Sequence, residues 1–188
     1  LTDDIHELVG RCRRGDEDAV AALVNRYRDQ VFGLCFRMLR HREDAEDVTQ
    51  ESFVRAIRSL GRWDPTRDFR PWLLAIAGNR CRTHLASRMR RPTASAEVER
   101  LPDPGPDVQR GRNLAEEVQL ALEHLREEYR RAFLLFHHSQ LSYAEIAAAL
   151  DCPVGTVKTW VHRARRELAE RLLKRGIVEE LPHAVRPV

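Results

Sequence analysis

The sequence has no apolar run approaching the roughly 20 residues that a bilayer-spanning helix needs, so no membrane insertion is expected. It has no glycine-rich phosphate loop, no HExxH and no GxSxG. Its acids fall on polar helix faces rather than in apolar settings, so no catalytic residues are assigned and the chain is not expected to be an enzyme. Cysteine is sparse. Cys12, Cys35, Cys81 and Cys152 are widely spaced and form no CxxC pair, which reads as reduced packing thiols in a cytoplasmic protein. His137 and His138 are adjacent and so point different ways on a helix; neither a metal nor a cofactor is expected. Period-two alternation of useful length is missing as well, which excludes a substantial sheet. Leu1 stands where a methionine is expected, so the numbering is read as beginning inside a natural chain.

What remains is helical periodicity, in a length that suits one ordinary domain or two small ones. Ile5, Leu8, Val9 and Cys12 follow helical spacing, Gly15 stops that helix, and Asp16 can cap the next. A long amphipathic helix then carries Val20, Leu23, Val24, Tyr27, Val31, Leu34, Cys35, Met38 and Leu39. A third helix, from about Glu43 to Leu60, turns Ala45, Val48, Ser52, Phe53, Ala56, Ile57 and Leu60 inward. Residues 61–68 read as a loop. A fourth helix is predicted to open near Pro71, with Trp72, Leu73, Ile76 and Ala77 as its apolar face, before it turns basic. Residues 92–112 hold four prolines and two glycines, which predicts a semi-extended linker. Beyond it Leu114, Val118, Ala121, Leu122 and Leu125 mark one helix, and Tyr129, Ala132, Phe133 and Phe136 another. The expectation is an all-α chain. Its domains are residues 1–91 and 113–175, the linker is residues 92–112, and residues 176–188 form a loose tail.

The net charge of +3 hides its distribution. Residues 43–51 carry five acids and no base, whereas residues 78–91 carry five arginines and no acid. The richest stretch runs from Ser142 to Arg166, SYAEIAAALDCPVGTVKTWVHRARR. Ser142 and Glu145 have the spacing of a capping box. Asp151 and Cys152 make a turn, and Pro153 pre-sets the backbone for the next helix. Val157, Val161, Ala164 and Leu168 form a buried stripe, which leaves Lys158, Thr159, His162 and Arg163 outward. That is the form in which a helix-turn-helix offers a recognition helix to duplex DNA. The first turn, with Thr156, has backbone N–H groups for a phosphate, and Arg166 suits phosphate or solvent. Trp160 flanks the stripe and reads as half-buried packing.

Two further constellations follow from the charge pattern. A loop bearing Trp63, Asp64, Thr66 and Arg67 precedes a helix bearing Asn79, Arg80, Arg82, Thr83, Arg88 and Arg90. Basic groups near an aromatic-bearing loop suit a single strand with unstacked bases, and an amide such as Asn79 can bond an exposed base edge. The acidic helix, with Asp47, Gln50, Glu51 and Phe53, suits docking to a basic partner. The plainer readings are solvated charged faces.

In combination, DAEDVTQESFVRAI, FRPWLLAIAGNRCR and LSYAEIAAALDCPVGTVKTWVHRARREL resemble a bacterial RNA polymerase sigma factor of the extracytoplasmic-function (ECF) type over nearly the whole chain. The resemblance implies two helical domains, sigma regions two and four. It places Asp47, Gln50, Glu51 and Phe53 on the clamp helices of core RNA polymerase, with a further polymerase contact on the flap. It places Asn79 and residues 63–68 around a flipped base of the minus-ten promoter element, and Lys158, Thr159, His162 and Arg163 on the minus-thirty-five duplex. The linker would thread toward the polymerase active-site cleft. Such factors often have a cognate anti-sigma partner. The alternative is a stand-alone helix-turn-helix repressor or activator, which would need a dimer face and would leave the acidic helix and Asn79 without a task.

Overall fold

The computed structural model describes residues 2–90 and 106–178. Among them there are only helices and connections: α1 (Thr2–Arg13), α2 (Glu17–Leu39), α3 (Arg42–Arg58), a 3-10 turn (Leu60–Arg62), α4 (Phe69–Arg90), α5 (Pro106–Glu123), α6 (Glu127–His137), α7 (Tyr143–Leu150) and α8 (Val154–Lys174). No helix among the described residues is long and apolar enough to cross a membrane. Residues 92–105 of the expected linker and 179–188 of the expected tail lie outside the described residues.

The chain divides into two compact units: the first holds α1–α4 and also Ala148–Asp151 at the end of α7, and the second holds α5, α6, α7 up to Ala147, and α8. In the first, α2 packs against α1, α3 and α4, and α3 packs against α4. Of the stripe expected on α2, Val20 and Val24 are half-buried, while Leu23, Tyr27, Val31, Leu34, Cys35, Met38 and Leu39 are buried. They meet Val48 and Phe53 of α3 and Phe69, Leu73 and Leu74 of α4 in one core. Burying each large apolar side chain stabilises the unit by about 1.5–3 kcal/mol. Gly15, at φ 83°, ends α1 in the left-handed region that glycine enters without strain. Asp16 then caps α2: its Oδ1 accepts from the Ala19 N–H at 3.0 Å, while its Oδ2 accepts from Arg11 Nε at 2.8 Å. The Arg11 bond first, and the Ala19 N–H second, hold this carboxyl below the usual aspartate range.

Helix α4 differs from expectation in two ways. It opens at Phe69 rather than near Pro71, because a proline in the first turn has no intrahelical N–H bond to lose. Its buried face is also rotated. Leu74 and Ala75 join Leu73 and Ala77 in the core, while Trp72 and Ile76 are half-buried.

In the second unit α8 packs against α6 and α5. Helix α5 begins at Pro106, inside the stretch read as linker. Pro106 stands at the first helical position, where a helix tolerates proline. Leu114 is exposed; Ala121, Leu122 and Leu125 are buried. On α6 the core residues are Tyr129, Ala132, Leu134 and Leu135, whereas Phe133 and Phe136 are half-buried. Phe136 instead stacks on Tyr143, with ring centroids 4.6 Å apart.

The capping box forms as read: the Ser142 N–H donates to Glu145 Oε2 at 2.7 Å, and the Glu145 N–H donates to Ser142 Oγ at 3.2 Å. The turn between α7 and α8 passes through Asp151 at φ 52°, a conformation that aspartate tolerates better than most residues. Pro153 stands just before α8 as its N-cap. Val157, Val161, Ala164 and Leu168 are all buried.

Candidate functional site

Three polar surfaces stand on this scaffold. The first is the outer face of α3. Asp47, Gln50 and Glu51 are exposed there and line a shallow groove with Val54, Arg55, Arg58 and Arg80. Phe53, grouped with the acids in the sequence, is only 5% exposed, and Val54 is 47% exposed. The helix period explains the correction. Positions 47, 50, 51, 54 and 58 are three or four apart and share one side, whereas Phe53 lies on the opposite side and serves the core. The same spacing, applied strictly to the sequence, would have found Val54 and Arg58.

The second surface joins the loop after α3 to α4. Trp63 is 7% exposed and anchors the loop from below. Its Nε1 donates to the Arg67 carbonyl at 3.1 Å. Its ring stacks on His6 of α1 at 5.2 Å and meets Phe69 edge-on at 5.4 Å. His6 Nε2 also donates to the Pro65 carbonyl at 2.7 Å, so α1 holds the loop; nothing in the local sequence announces this contact. At the exposed tip, Asp64 Oδ1 accepts from the Thr66 N–H at 2.9 Å and the Thr66 hydroxyl at 2.7 Å. These bonds, the hydroxyl's first, hold the Asp64 carboxyl below its usual range, and Arg67 Nε lies 3.4 Å from Oδ2. The turn is an Asx turn.

On α4, Asn79, Arg82 and Thr83 are exposed, and the Thr83 hydroxyl bonds back to the Asn79 carbonyl at 3.0 Å. Arg80 pairs with Glu51 of α3. Arg88 and His84 approach Asp44 of α3 at 3.4 and 3.3 Å. Arg90 closes the helix, and its side chain lies outside the described part. Trp63 is therefore not a free stacking platform. The groups open to a ligand on this side are the loop tip and the outer row of α4.

The third surface is α8. Lys158, Thr159, His162, Arg163 and Arg166 are exposed opposite the buried stripe; Thr156 and Trp160 are half-buried. Two of the N–H groups expected to be open in the first turn, those of Thr156 and Val157, bond the Pro153 carbonyl at 2.9 and 3.3 Å. Arg163 Nη1 donates to the Tyr129 hydroxyl of α6 at 2.9 Å. That bond lowers the Tyr129 pKa and raises that of Arg163. Arg166 pairs with Glu170 at 3.1 Å. Among the described residues no group of His, Cys, Asp and Glu side chains is arranged to hold a metal.

Residues 23–91 match the family model described as Sigma-70 region 2, and residues 115–168 match that described as Sigma-70, region 4. The RNA polymerase sigma-H factor of Pseudomonas aeruginosa is 34% identical over 88% of this chain and 92% of its own length. The ECF RNA polymerase sigma-E factor of Escherichia coli (strain K12) is 36% identical over 92% of this chain and 95% of its own. The chain is an ECF-type RNA polymerase sigma factor.

The fold of this sigma factor agrees. The solved structure of CnrH in complex with the cytosolic domain of CnrY matches it with a TM-score of 0.69 and 27% identity, over 92% of this chain and 97% of that one. Membership makes the sigma factor a non-catalytic subunit that binds RNA polymerase and recognises promoters. The region 2 match covers the sigma factor's α3 and α4, and the region 4 match covers its α7 and most of α8.

Proposed function

We propose that this sigma factor reads the minus-thirty-five element as duplex through α8 and the minus-ten element as a melted strand through the loop after α3 and α4, while α3 docks on core polymerase. The domains of this reading are residues 1–91 and 113–175, the second extended toward α5's start at Pro106. Asp47, Gln50 and Glu51, with Val54 in place of Phe53, form the docking face. Asn79 holds a flipped base beside the Asp64–Arg67 tip, Trp63 fixes that tip from the core, and Arg80, Arg82, Thr83, Arg88 and Arg90 serve the strand's backbone. Lys158, Thr159, His162 and Arg163 reach bases or phosphates of the duplex, with Thr156 and Arg166 toward phosphate. The polymerase flap and clamp helices, promoter DNA and an anti-sigma protein are the partners. A solved relative held by the cytosolic domain of another protein supports the last of these.

One observation carries the reading: a single unit exposes both Asp47, Gln50 and Glu51 in one row and, on the helix packed beside it, Asn79. A stand-alone repressor would have a use for α8 alone. Unstacking a base costs a few kcal/mol, which contacts on α4 must offset, and tethering both units to polymerase supplies the effective concentration that each lacks. Asn79→Ala is expected to impair promoter opening and discrimination at the minus-ten element while core binding stays intact. Permanganate footprinting and a core-binding titration read the two separately; a collapse of core affinity would refute the assignment.

A further inference from the structure

Two acids of α3, Glu51 and Asp44, are already met by basic groups of α4. Arg80 directs Nε, at 3.1 Å, and Nη2 to the same Glu51 oxygen, Oε2. Asp44 Oδ2 receives His84 and Arg88 farther along the same two helices. The Arg80 side chain is 24% exposed and that of Glu51 55%, so the pair stands at the rim of the groove, in reach of a partner. The Nε–Nη2 edge of a guanidinium is one that pairs with a carboxylate or a phosphate. While Glu51 occupies it, that edge and much of the Arg80 charge are withheld from DNA. While Arg80 occupies Glu51, a cation of a docking partner meets a neutralised carboxylate. Asp47, on the same face, makes no ion pair among the described residues.

We infer that the Glu51–Arg80 ion pair is a latch that couples polymerase docking to strand binding. A cation of the docked polymerase takes Glu51 and releases Arg80 to a phosphate of the single strand; strand binding frees Glu51 for the polymerase in return. Such coupling is reciprocal by linkage. The inference rests on the docking and strand-binding assignments above. A half-exposed pair of this kind supports an effect of about two- to five-fold, strongest at low salt.

The test uses the full chain without polymerase and a short mixed-sequence single-stranded DNA, because a phosphate contact does not depend on base sequence. Glu51→Gln is expected to tighten binding by about two- to five-fold. Asp47→Asn removes the same charge from the same face and is expected to do less. The excess of Glu51→Gln over Asp47→Asn is expected to vanish in an Arg80→Ala background. If Glu51→Gln binds no tighter than Asp47→Asn, or keeps its excess without Arg80, the latch is refuted. Arg80→Ala in the holoenzyme tests the underlying reading by itself. Weakened strand binding there with no Glu51 effect sinks the latch alone. Unchanged binding in both holoenzyme and free chain sinks the strand role of Arg80 and the latch with it.

Discussion

At the residue scale, what a side chain already holds decides what it can offer. Arg163 is exposed on α8 yet donates to Tyr129, which restricts a side chain that otherwise loses much rotamer freedom on binding. Arg163→Ala is expected to weaken binding to a minus-thirty-five duplex by ~1–3 kcal/mol. Fluorescence anisotropy checks this, and an unchanged affinity would leave the guanidinium the task of bonding Tyr129 only. His137 is a second case. Its Nε2 accepts from Arg165 Nε at 3.0 Å, and its ring lies 4.4 and 5.0 Å from those of Phe133 and Phe136. Loss of water from the ring where it meets these neighbours, then the Arg165 charge, lowers its pKa below the ordinary 6.5, although the residue as a whole is exposed. The unfolded chain therefore takes up this proton at higher pH than the folded one. The contribution of the neutral ring to stability is complete above about 6.5 and is lost as pH falls through the lower folded value. An NMR titration of the His137 ring is expected to show a midpoint under 6.5; one at or above it would contradict the packing described.

At the scale of the element, local chemistry was largely readable in advance. The Asp16 cap, the Ser142–Glu145 box and the Val157–Val161–Ala164–Leu168 stripe all involve residues within a few positions of each other, where spacing alone determines who can meet. Ser142→Ala removes one half of the reciprocal box and is expected to cost about 0.5–2 kcal/mol, seen as a lower thermal midpoint in circular dichroism; an unchanged midpoint would mean that the cap contributes nothing to this helix. The start of α5 lies before the position that the sequence predicts, because a proline breaks a helix only beyond its first turn and Pro106 stands at the first helical position. The buried faces of α4 and α6 lie about one residue from those that periodicity predicts, for a different reason. Their apolar runs, WLLAIA and AFLLF, are wide enough that periodicity permits more than one rotation, and the neighbouring helices select Leu74, Leu134 and Leu135 for the core.

At the scale of the whole molecule, neither unit is expected to suffice. A recognition helix with Lys158, Arg163 and Arg166 on its surface has the charge for phosphate contacts, and such binding by the free chain is expected to be weak and to fall steeply with salt. Adding core polymerase is expected to produce specific promoter binding and strand opening on the same fragment. Gel-shift and footprinting assays at two salt concentrations distinguish this from tight binding to a palindrome without polymerase, which would favour a stand-alone regulator.

Helix content, the caps, the recognition-helix stripe and the family to which the chain belongs were all present in the order of residues, because each depends on short spacings or on whole motifs in sequence. Folding in three dimensions decided the rest: that Trp63 lies under its loop with His6 of α1 against it, and that Glu51 holds Arg80. Periodicity states which side chains share a face. Only the packing of one helix on another states which way that face points and which distant charge lies opposite.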